Sequence, residues 1–382
     1  MPGQIPGQIL GQWLLLTGAA HLDCFVGTRR AMNESVASWP PDAAISAIVG
    51  VSRWEDRKGL NLCPPGADKC HVDGTVLTST KLRGMAELWL DGATPSETDL
   101  RAAQSVAAKM AVFEGIRPFS AVVQELVDCV SRPDFKLDRV RELIEADPAL
   151  AARIMRVANS AAYRTYEPCS SVSKAIVRIG ATNVGDLAMA MSAMTFFKDL
   201  GGVGQSIRDH SAGTAAVARE LAFRLGRASP KVFLAGLLHD IGKLLLIQTG
   251  DEDYAALAGE NLAPNTLHLK EQAQWGYDHA ILGGQVLLSW KLPQPIPQIV
   301  ACHHQPKVAQ TRSALFAMSV DLLRIADEVD WLLQQRHDAD SEHVKKLAQS
   351  PDGTRAGLNE TTLMELWDDL RTVRREALSV FK

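Results

Sequence analysis

An apolar run over residues 231–248 carries two polar residues, His239 and Asp240, at its centre. Leucine and isoleucine recur around these two on almost every side of a helical wheel, a pattern that predicts a helix buried on nearly all faces. An ionised carboxylate without a partner is costly in such surroundings. The chain must therefore fold so that Asp240 meets either a metal ion or a close hydrogen-bonding partner.

Helical patterns extend over most of residues 116–307. Apolar residues recur at helical spacing at residues 121–130, 137–145, 149–158, 183–197 and 207–225. The strands that a parallel sheet needs are missing from these patterns, which argues against folds that hold phosphate in a glycine-rich loop. We therefore interpret the glycines at 201–204 as a flexible hinge and not as a phosphate loop.

The region before these helices has a different character. Residues 1–95 are rich in glycine, proline and turn signals, with short strands predicted at residues 45–51 and 75–78. They predict a smaller α/β or irregular module of unknown function, for which regulation is one interpretation. Ser96 and Asp99 then precede an amphipathic pattern, which predicts a capped linker helix within residues 96–115.

The region after residue 307 is expected to be a helical C-terminal extension. Residues 314–335 and 361–381 both show helical patterns, and the second carries an apolar stripe that includes Leu363, Trp367 and Leu370. Such a stripe normally packs on its own domain, and the alternative is the seam of a homodimer. The predicted division is thus 1–95, 96–115, 116–307, and an extension over 308–382 that packs on the preceding domain.

Charge argues against partnership with nucleic acid. The 382 residues carry 40 Lys+Arg against 44 Asp+Glu, which gives a net charge of −4. Two arginine clusters, Arg153/Arg156/Arg164 and Arg371/Arg374/Arg375, have acidic neighbours at helical spacing, so we interpret both as solvated faces.

Membrane insertion and secretion are not expected either. The apolar stretch at residues 9–20 is too short and too interrupted to span a bilayer. Six cysteines are scattered without a repeating spacing, which is typical of a reducing compartment. The sequence therefore predicts a cytoplasmic protein.

Several motifs carry a family resemblance. They are the segments at residues 147–150, 153–161, 170–180 and 234–243, the last of which contains the His239-Asp240 pair and Lys243. In this order and spacing they closely resemble the HDOD family, the HD-related output domains of bacterial signalling proteins. The resemblance implies an all-helical fold related to the HD superfamily of metal-dependent phosphohydrolases. HDOD members are usually regarded as regulatory modules without established enzyme activity.

The same resemblance implies a set of candidate metal ligands. The HD superfamily and its two-metal relatives suggest, in chain order, His210, His239, Asp240, His279, His303, His304 and Asp327. Imidazole and carboxylate groups suit divalent iron, manganese or zinc, and an adjacent pair of such ions activates water for attack on a phosphoester. Lys243 would help to neutralise a phosphate if the protein is an enzyme.

A purely structural interpretation of these residues stays open. Asp240 could bond to His210 or to backbone amides, His279 could simply follow an N-cap at Asp278, and Asp327 could lie on the surface of a charged helix. The Gly-Tyr-Pro signature of the two-metal phosphodiesterases does not follow His303 and His304.

The leading functional hypothesis from the sequence is a non-catalytic signalling output module that acts through other signalling proteins, with a homodimer as one form. The alternative is a metal-dependent phosphohydrolase acting on a nucleotide or a cyclic dinucleotide. In that case Lys243 is the candidate catalytic residue, and the metal would be held by His210, His239, Asp240 and Asp327.

Overall fold

The structure is a computed structural model of the full chain. The residues that it describes are 69–72, 75–90, 95–113, 118–160, 163, 167–197, 200–227, 230–249, 252–260 and 262–380. The apolar stretch at 9–20 and most of the predicted module at 1–95 lie outside these residues. The division of the chain into domains therefore stays a prediction.

The described residues form a mainly α structure, as the sequence predicts. A two-stranded antiparallel hairpin opens it, with Lys69 paired to Thr78 and Val72 paired to Thr75. The elements up to the middle of the chain are β1 (Lys69–Val72), β2 (Thr75–Thr78), α1 (Ser79–Ala86), α2 (Glu97–Val112), α3 (Ala121–Val130), α4 (Leu137–Glu145), α5 (Pro148–Asn159), α6 (Val172–Ile179) and α7 (Ala181–Phe196). The strand predicted at residues 75–78 is confirmed as β2.

The second half of the described chain is helical throughout. Its helices are α8 (Gly201–Arg224), α9 (Pro230–Leu238), α10 (Ile241–Gln248), α11 (Glu252–Gly259), α12 (Pro264–Trp275), α13 (His279–Ser289), α14 (Ile296–Cys302), α15 (Pro306–Gln310), α16 (Ala314–Gln334), α17 (Glu342–Ala348), α18 (Pro351–Ala356) and α19 (Glu360–Val380). Among the described residues, no helix is both long enough and apolar enough to cross a membrane.

Local capping signals set several helix starts. Ser96 and Asp99 form the predicted capping box at the start of α2, because each side chain bonds the backbone of the other. Asp147 caps α5, which begins with Pro148, and Asp278 caps α13 by accepting a hydrogen bond from the backbone of Ile281. His279 is therefore held as the first residue of a helix.

Helix α8 lies at the centre of the second half. It packs against α9, α16 and α19, and small residues on its buried faces, Ala212, Ala215 and Ala218 among them, permit close helix contacts. The predicted hinge at residues 201–204 is wrong, because these glycines form the first turns of α8.

The run at residues 231–248 is two helices and not one. Helix α9 ends at Leu238 and α10 begins at Ile241, so His239 and Asp240 occupy the junction between them. Both helices are apolar and buried, which is why their sequence reads as continuous. The break turns the two polar residues toward the interior of the molecule, where they are 0% and 1% exposed.

The C-terminal helices pack on the centre of the protein. The predicted stripe on α19 is buried within the chain, with Leu363 and Leu370 at 0% exposure and Trp367 at 1%. The stripe therefore packs against other helices of the same chain. Helix α16 likewise packs against α8 and α9, and it brings two aspartates, Asp327 and Asp330, into the interior.

Helix α1 and the turn after it are attached to the later helices. Nη2 of Arg312 donates hydrogen bonds to the carbonyl oxygens of Leu88 and Leu90, at 2.9 and 3.1 Å. Nε2 of Gln285, on α13, donates to the carbonyl of Met85 at 2.6 Å. The segment before α2 is therefore bonded to the helix that begins with His279.

Candidate metal centre

Seven side chains from five parts of the chain meet in the interior, and they are the seven candidate ligands of the sequence analysis. Helix α8 carries His210, the α9–α10 junction carries two residues, α13 carries His279, the end of α14 is followed by two histidines, and α16 carries Asp327. The set, called the seven-residue cluster below, is His210, His239, Asp240, His279, His303, His304 and Asp327.

A glycine lets two of these elements approach each other. A Cβ atom at Gly242 would lie 1.9 Å from the backbone oxygen of His279, far inside any permitted contact. Only glycine at this position allows α10 to pack against the start of α13. The junction residue Asp240 and the helix-start residue His279 thereby become neighbours.

The first group of donor atoms comprises His210, His239 and Asp327. One ligand atom from each lies within 4.8 Å of the others. Nε2 of His210 is 2.9 Å from Oδ1 of Asp327, and Nε2 of His239 is 3.8 Å from the same oxygen. Asp327 is only 7% exposed, so the interpretation of this residue as part of a charged surface is wrong.

The second group comprises His279, His303 and His304, whose ligand atoms also lie within 4.8 Å of one another. Nε2 of His304 is 3.1 Å from Nε2 of His279. The ring of His268, on α12, stacks on the ring of His304 at a centroid distance of 4.2 Å. This stacking fixes the plane of the His304 ring, and sequence patterns gave no sign of it.

Asp240 lies between the two groups. Its Oδ1 is 3.4 Å from Nε2 of His239 in the first group and 3.2 Å from Nε2 of His279 in the second. Its Oδ2 is 3.8 Å from Nε2 of His210. A carboxylate in this position faces both groups at once, which is the arrangement a bridging ligand needs.

Asp240 is also paired with a lysine. Nζ of Lys243, one turn along α10, donates a hydrogen bond to Oδ2 of Asp240 at 2.7 Å. Burial raises the pKa of Asp240, but the contacts with His239, Lys243 and His279 outweigh burial and hold that pKa well below its usual value. The partner that the sequence demanded for this carboxylate is therefore Lys243, and neither His210 nor a backbone amide bonds it in the described structure.

Two histidines have a fixed tautomer. Nδ1 of His239 lies 2.8 Å from the carbonyl oxygen of Gly236, and Nδ1 of His303 lies 2.7 Å from that of Val300. A carbonyl oxygen only accepts, so both Nδ1 atoms carry the proton and both Nε2 atoms present a lone pair. Backbone acceptors of this kind orient metal-ligating histidines.

His279 is oriented by a buried carboxylate that the sequence analysis missed. Oε2 of Glu271, on α12, accepts hydrogen bonds from Nδ1 and from the backbone nitrogen of His279, at 2.7 and 2.9 Å. Oε1 of Glu271 accepts from the hydroxyl of Tyr254 at 2.7 Å. Burial lowers the pKa of His279, but the carboxylates of Glu271 and Asp240 outweigh burial and raise it to about 9.

His210 is held by two aspartates on one face of α16. Its Nε2 faces Asp327, and its Nδ1 lies 2.7 Å from Oδ2 of Asp330. Burial lowers the pKa of His210, but hydrogen bonds to Asp327 and Asp330 outweigh burial and raise it to about 10. Asp330 was not among the residues predicted from the sequence, although its spacing from Asp327 places both on one helix face.

Several buried polar atoms of the cluster have no hydrogen-bond partner among the described residues, as atoms that ligate a metal ion would. These atoms are Nε2 of His239, Nε2 of His303, Nδ1 of His304 and Oδ1 of Asp240. Buried polar atoms are nearly always satisfied, and such a concentration calls for an explanation. Five imidazoles and two carboxylates form a donor set that suits divalent iron, manganese or zinc. The residues present therefore fit a pair of divalent ions.

Comparison with protein-family models matches residues 116–306 to the HDOD domain. An uncharacterized protein of Treponema pallidum (strain Nichols) is 24% identical over 186 residues, which is 47% of this chain. The matched part spans only 36% of the length of that relative. The match to the family model leaves out Asp327 and Asp330, which lie beyond residue 306.

Solved structures share the fold. A proposed phosphohydrolase from Shewanella amazonensis SB2B is 25% identical with a TM-score of 0.57, over 72% of this chain and 98% of that one. An HDOD domain protein of unknown function from Geobacter sulfurreducens is 22% identical with a TM-score of 0.54, over 72% and 98% of the two chains. A proposed signal transduction protein from Marinobacter aquaeolei VT8 is 17% identical with a TM-score of 0.54, over 78% and 68%.

Proposed function

The chain belongs to the HDOD family, and on the geometry of the seven-residue cluster we propose that it is a metal-dependent phosphohydrolase. The observation that carries the proposal is the position of Asp240, which lies within 3.4 Å of a donor nitrogen in each of two groups of ligand atoms. Two adjacent sites that share a carboxylate suit a pair of divalent ions. The similar structure from Shewanella amazonensis is named as a proposed phosphohydrolase, which supports this proposal.

The first group, together with Asp240, would hold one ion through His210, His239 and Asp327, and the second group would hold the other. When bound, such ions would supply Lewis acidity and a nucleophilic water for attack on phosphorus. The chain's own contribution is to present lone pairs on histidine nitrogens whose other nitrogen is fixed by an acceptor.

Lys243 is the residue of the chain that would contact substrate. Its side chain is 15% exposed and that of His210 is 14% exposed, so solvent reaches the cluster at this edge. Nζ of Lys243 is bonded to Asp240, and its positive charge would attract a phosphate oxygen that enters from this edge. The proposed reaction adds one water across a phosphodiester bond of a nucleotide or cyclic dinucleotide, and it yields a phosphomonoester and an alcohol.

The test combines metal content with hydrolysis. The full chain is purified from medium supplemented with manganese, iron or zinc, and its metal is measured by mass spectrometry alongside cleavage of bis(p-nitrophenyl) phosphate and of cyclic dinucleotides. We expect two ions per chain and metal-dependent cleavage. His239→Ala should lose both properties, whereas His343→Ala, which changes an exposed histidine outside the cluster, should keep both. A wild-type protein that purifies without transition metal and takes up none would contradict the proposal.

A second function is favoured by one observation, the closure of the site. His279 and His239 are 0% and 1% exposed, so a phosphodiester would have little access to their nitrogens. In this alternative the protein is a non-catalytic signalling output module, in which a bound metal stabilises the active conformation. Its partners would be other signalling proteins of the cytoplasm, with a homodimer as one form.

The two functions give different results in the same experiment. Stoichiometric metal that raises the thermal stability of the wild type, with no cleavage of any phosphodiester offered, supports the output module and excludes the hydrolase. Cleavage that disappears in His239→Ala, under conditions where that variant remains folded, excludes the non-catalytic alternative.

A further inference from the structure

The C-terminal helix reaches the cluster through a chain of charged hydrogen bonds. Nε of Arg374, on α19, donates to Oδ1 of Asp330 at 2.7 Å, and Oδ2 of Asp330 lies 2.7 Å from Nδ1 of His210. Arg374 is 19% exposed, whereas Asp330 is 0% exposed. The arginine therefore extends inward from the surface of α19, contrary to the expectation that it belongs to a solvated face.

The contact is tightly enclosed. A Cβ atom at Gly213, on α8, would lie 1.8 Å from Oδ1 of Asp330 and 3.2 Å from Cγ of Arg374. The backbone of α8 thus covers the carboxylate and the stem of the arginine, and glycine at this position is what permits it. Water has little access to the pair, which strengthens the interaction between the two charges.

Asp330 is bonded both to the ring of His210 and to the guanidinium of Arg374. His210 lies between two aspartates of α16, with Nδ1 2.7 Å from Oδ2 of Asp330 and Nε2 2.9 Å from Oδ1 of Asp327. A ligating imidazole is neutral, because its Nε2 gives its lone pair to the metal and only Nδ1 keeps a proton. Arg374 is then the cation bonded to Asp330 in the described structure. A buried carboxylate left without a cation is strongly destabilising.

We propose that Arg374 is a positioning residue for the metal site that contains His210, so that helix α19 controls how tightly that site binds its ion. Arg374 acts through Asp330, which holds Nδ1 of His210 and directs Nε2 toward the other ligands of the first group. The inference rests on the proposed metal centre. It extends that function to a helix beyond the matched family domain.

The experiment uses the full chain and three variants. Arg374→Gln removes the charge, Arg374→Lys restores the charge without the planar guanidinium, and Arg375→Gln is the matched control, because Arg375 is the exposed neighbour on the same helix. Manganese affinity is measured by titration, and the coupling between the two ions is followed by electron paramagnetic resonance. Circular dichroism establishes that each variant is folded.

We expect Arg374→Gln to bind one of the two ions about 10- to 100-fold more weakly, as for other residues that orient a metal ligand. The second group should keep its ion. The electron paramagnetic resonance signal of two coupled manganese ions should therefore be replaced by the signal of a single isolated ion. Arg374→Lys should recover part of the affinity, and Arg375→Gln should match the wild type. If Arg374→Gln does not fold, the difference between Arg374→Lys and wild type decides the same question.

Failure of the inference and failure of the metal centre are distinguishable. A wild type that binds two ions, with the same affinities in the wild type and the folded Arg374 variants, overturns the role of Arg374 and leaves the metal centre intact. A wild type that binds no ion overturns the metal centre, and the role of Arg374 with it. A uniform loss of both ions in Arg374→Gln would show general destabilisation and would also overturn the specific role.

Discussion

Oδ1 of Asp240 lies 3.2 Å from Nε2 of His279, although Asp240 occupies the junction of α9 and α10 and His279 begins α13. This contact joins two groups of ligand atoms that would otherwise be separate sites. The contact depends on the break between α9 and α10, which directs Asp240 toward the cluster. It also depends on Gly242, which lets α10 approach α13. The chemistry of the cluster therefore follows from how these helices end and begin.

Asp240→Asn should abolish metal binding at both groups, because the neutral amide supplies neither the charge nor the bridging oxygen. His304→Gln should weaken only the second group, since His304 contacts no donor atom of the first group among the described contacts. Metal content per chain, measured after dialysis against a weak chelator, should thus fall to near zero in the first variant and to about half in the second. Asp338→Asn, at an exposed position, is the control and should match wild type. Equal metal loss in Asp240→Asn and His304→Gln would contradict the assignment of Asp240 to both groups.

The metal-free protein should lose stability as pH rises from about 6.5 to 10. The folded-state pKa values of His210 and His279 are raised to about 10 and about 9, whereas both are near 6.5 in an unfolded chain. A raised folded-state pKa stabilises the protein fully below the unfolded value, and that stability is lost as pH passes through the folded value. Denaturant unfolding of chelator-treated protein should show a decrease in the free energy of unfolding of several kcal/mol over this range, with an upper limit of about 8 kcal/mol at about 1.4 kcal/mol per pKa unit.

The same titration with His210→Gln tests the cause. That variant lacks one of the two ionising groups, so its stability should fall less steeply between pH 6.5 and 10. Bound metal should have a similar effect in wild type, because a ligating histidine is already neutral. A wild-type stability that stays constant or increases over this range would be incompatible with protonated His210 and His279 in the metal-free state.

The seven side chains that meet in the cluster were candidates from the sequence, whereas the residues that orient them were not. His239, Asp240 and Lys243 belong to one motif, so local sequence carries them. Glu271 and Asp330 act on the far side of an imidazole ring, and a single hydrogen bond from another helix leaves no periodic trace in sequence. The α9–α10 break was missed for a similar reason, because both helices are buried on all faces and the apolar pattern continues across the two polar residues.

The partner of Arg374 could not be predicted from the sequence either. Its helix carries Asp368, Asp369, Arg371 and Arg375 nearby, a composition typical of a solvated face. Its actual partner, Asp330, comes from α16 and is concealed by α8. Only the three-dimensional packing of these helices distinguishes an arginine that reaches inward from its neighbours that do not.

Glu271→Gln should weaken the second group by about 10- to 100-fold in metal affinity. The carboxylate accepts both Nδ1–H and the backbone N–H of His279, and an amide retains the shape but loses the charge that supports the ring. Tyr254→Phe removes only the outer hydrogen bond to Glu271 and should have a smaller effect. Glu260→Gln, which changes an exposed acid paired with Lys270, serves as the control. Unchanged zinc or manganese affinity in folded Glu271→Gln would show that His279 does not depend on this carboxylate.

Gly242→Ala should destabilise the fold and the cluster together. The added methyl would lie 1.9 Å from the backbone oxygen of His279 and 2.7 Å from its carbonyl carbon, so α10 and α13 must move apart. Backbone on both sides leaves no flexible side chain to give way, and overpacking of this kind costs about 1–3 kcal/mol or more. Gly84→Ala is the matched control, because nothing lies within 4 Å of its added Cβ in α1, and it should be neutral or stabilising by about 0.5–1 kcal/mol. Denaturant unfolding gives the difference in the free energy of unfolding, and metal content shows whether the displaced His279 still reaches Asp240. A Gly242→Ala protein that is as stable as wild type and binds as much metal would contradict the close approach of the two helices.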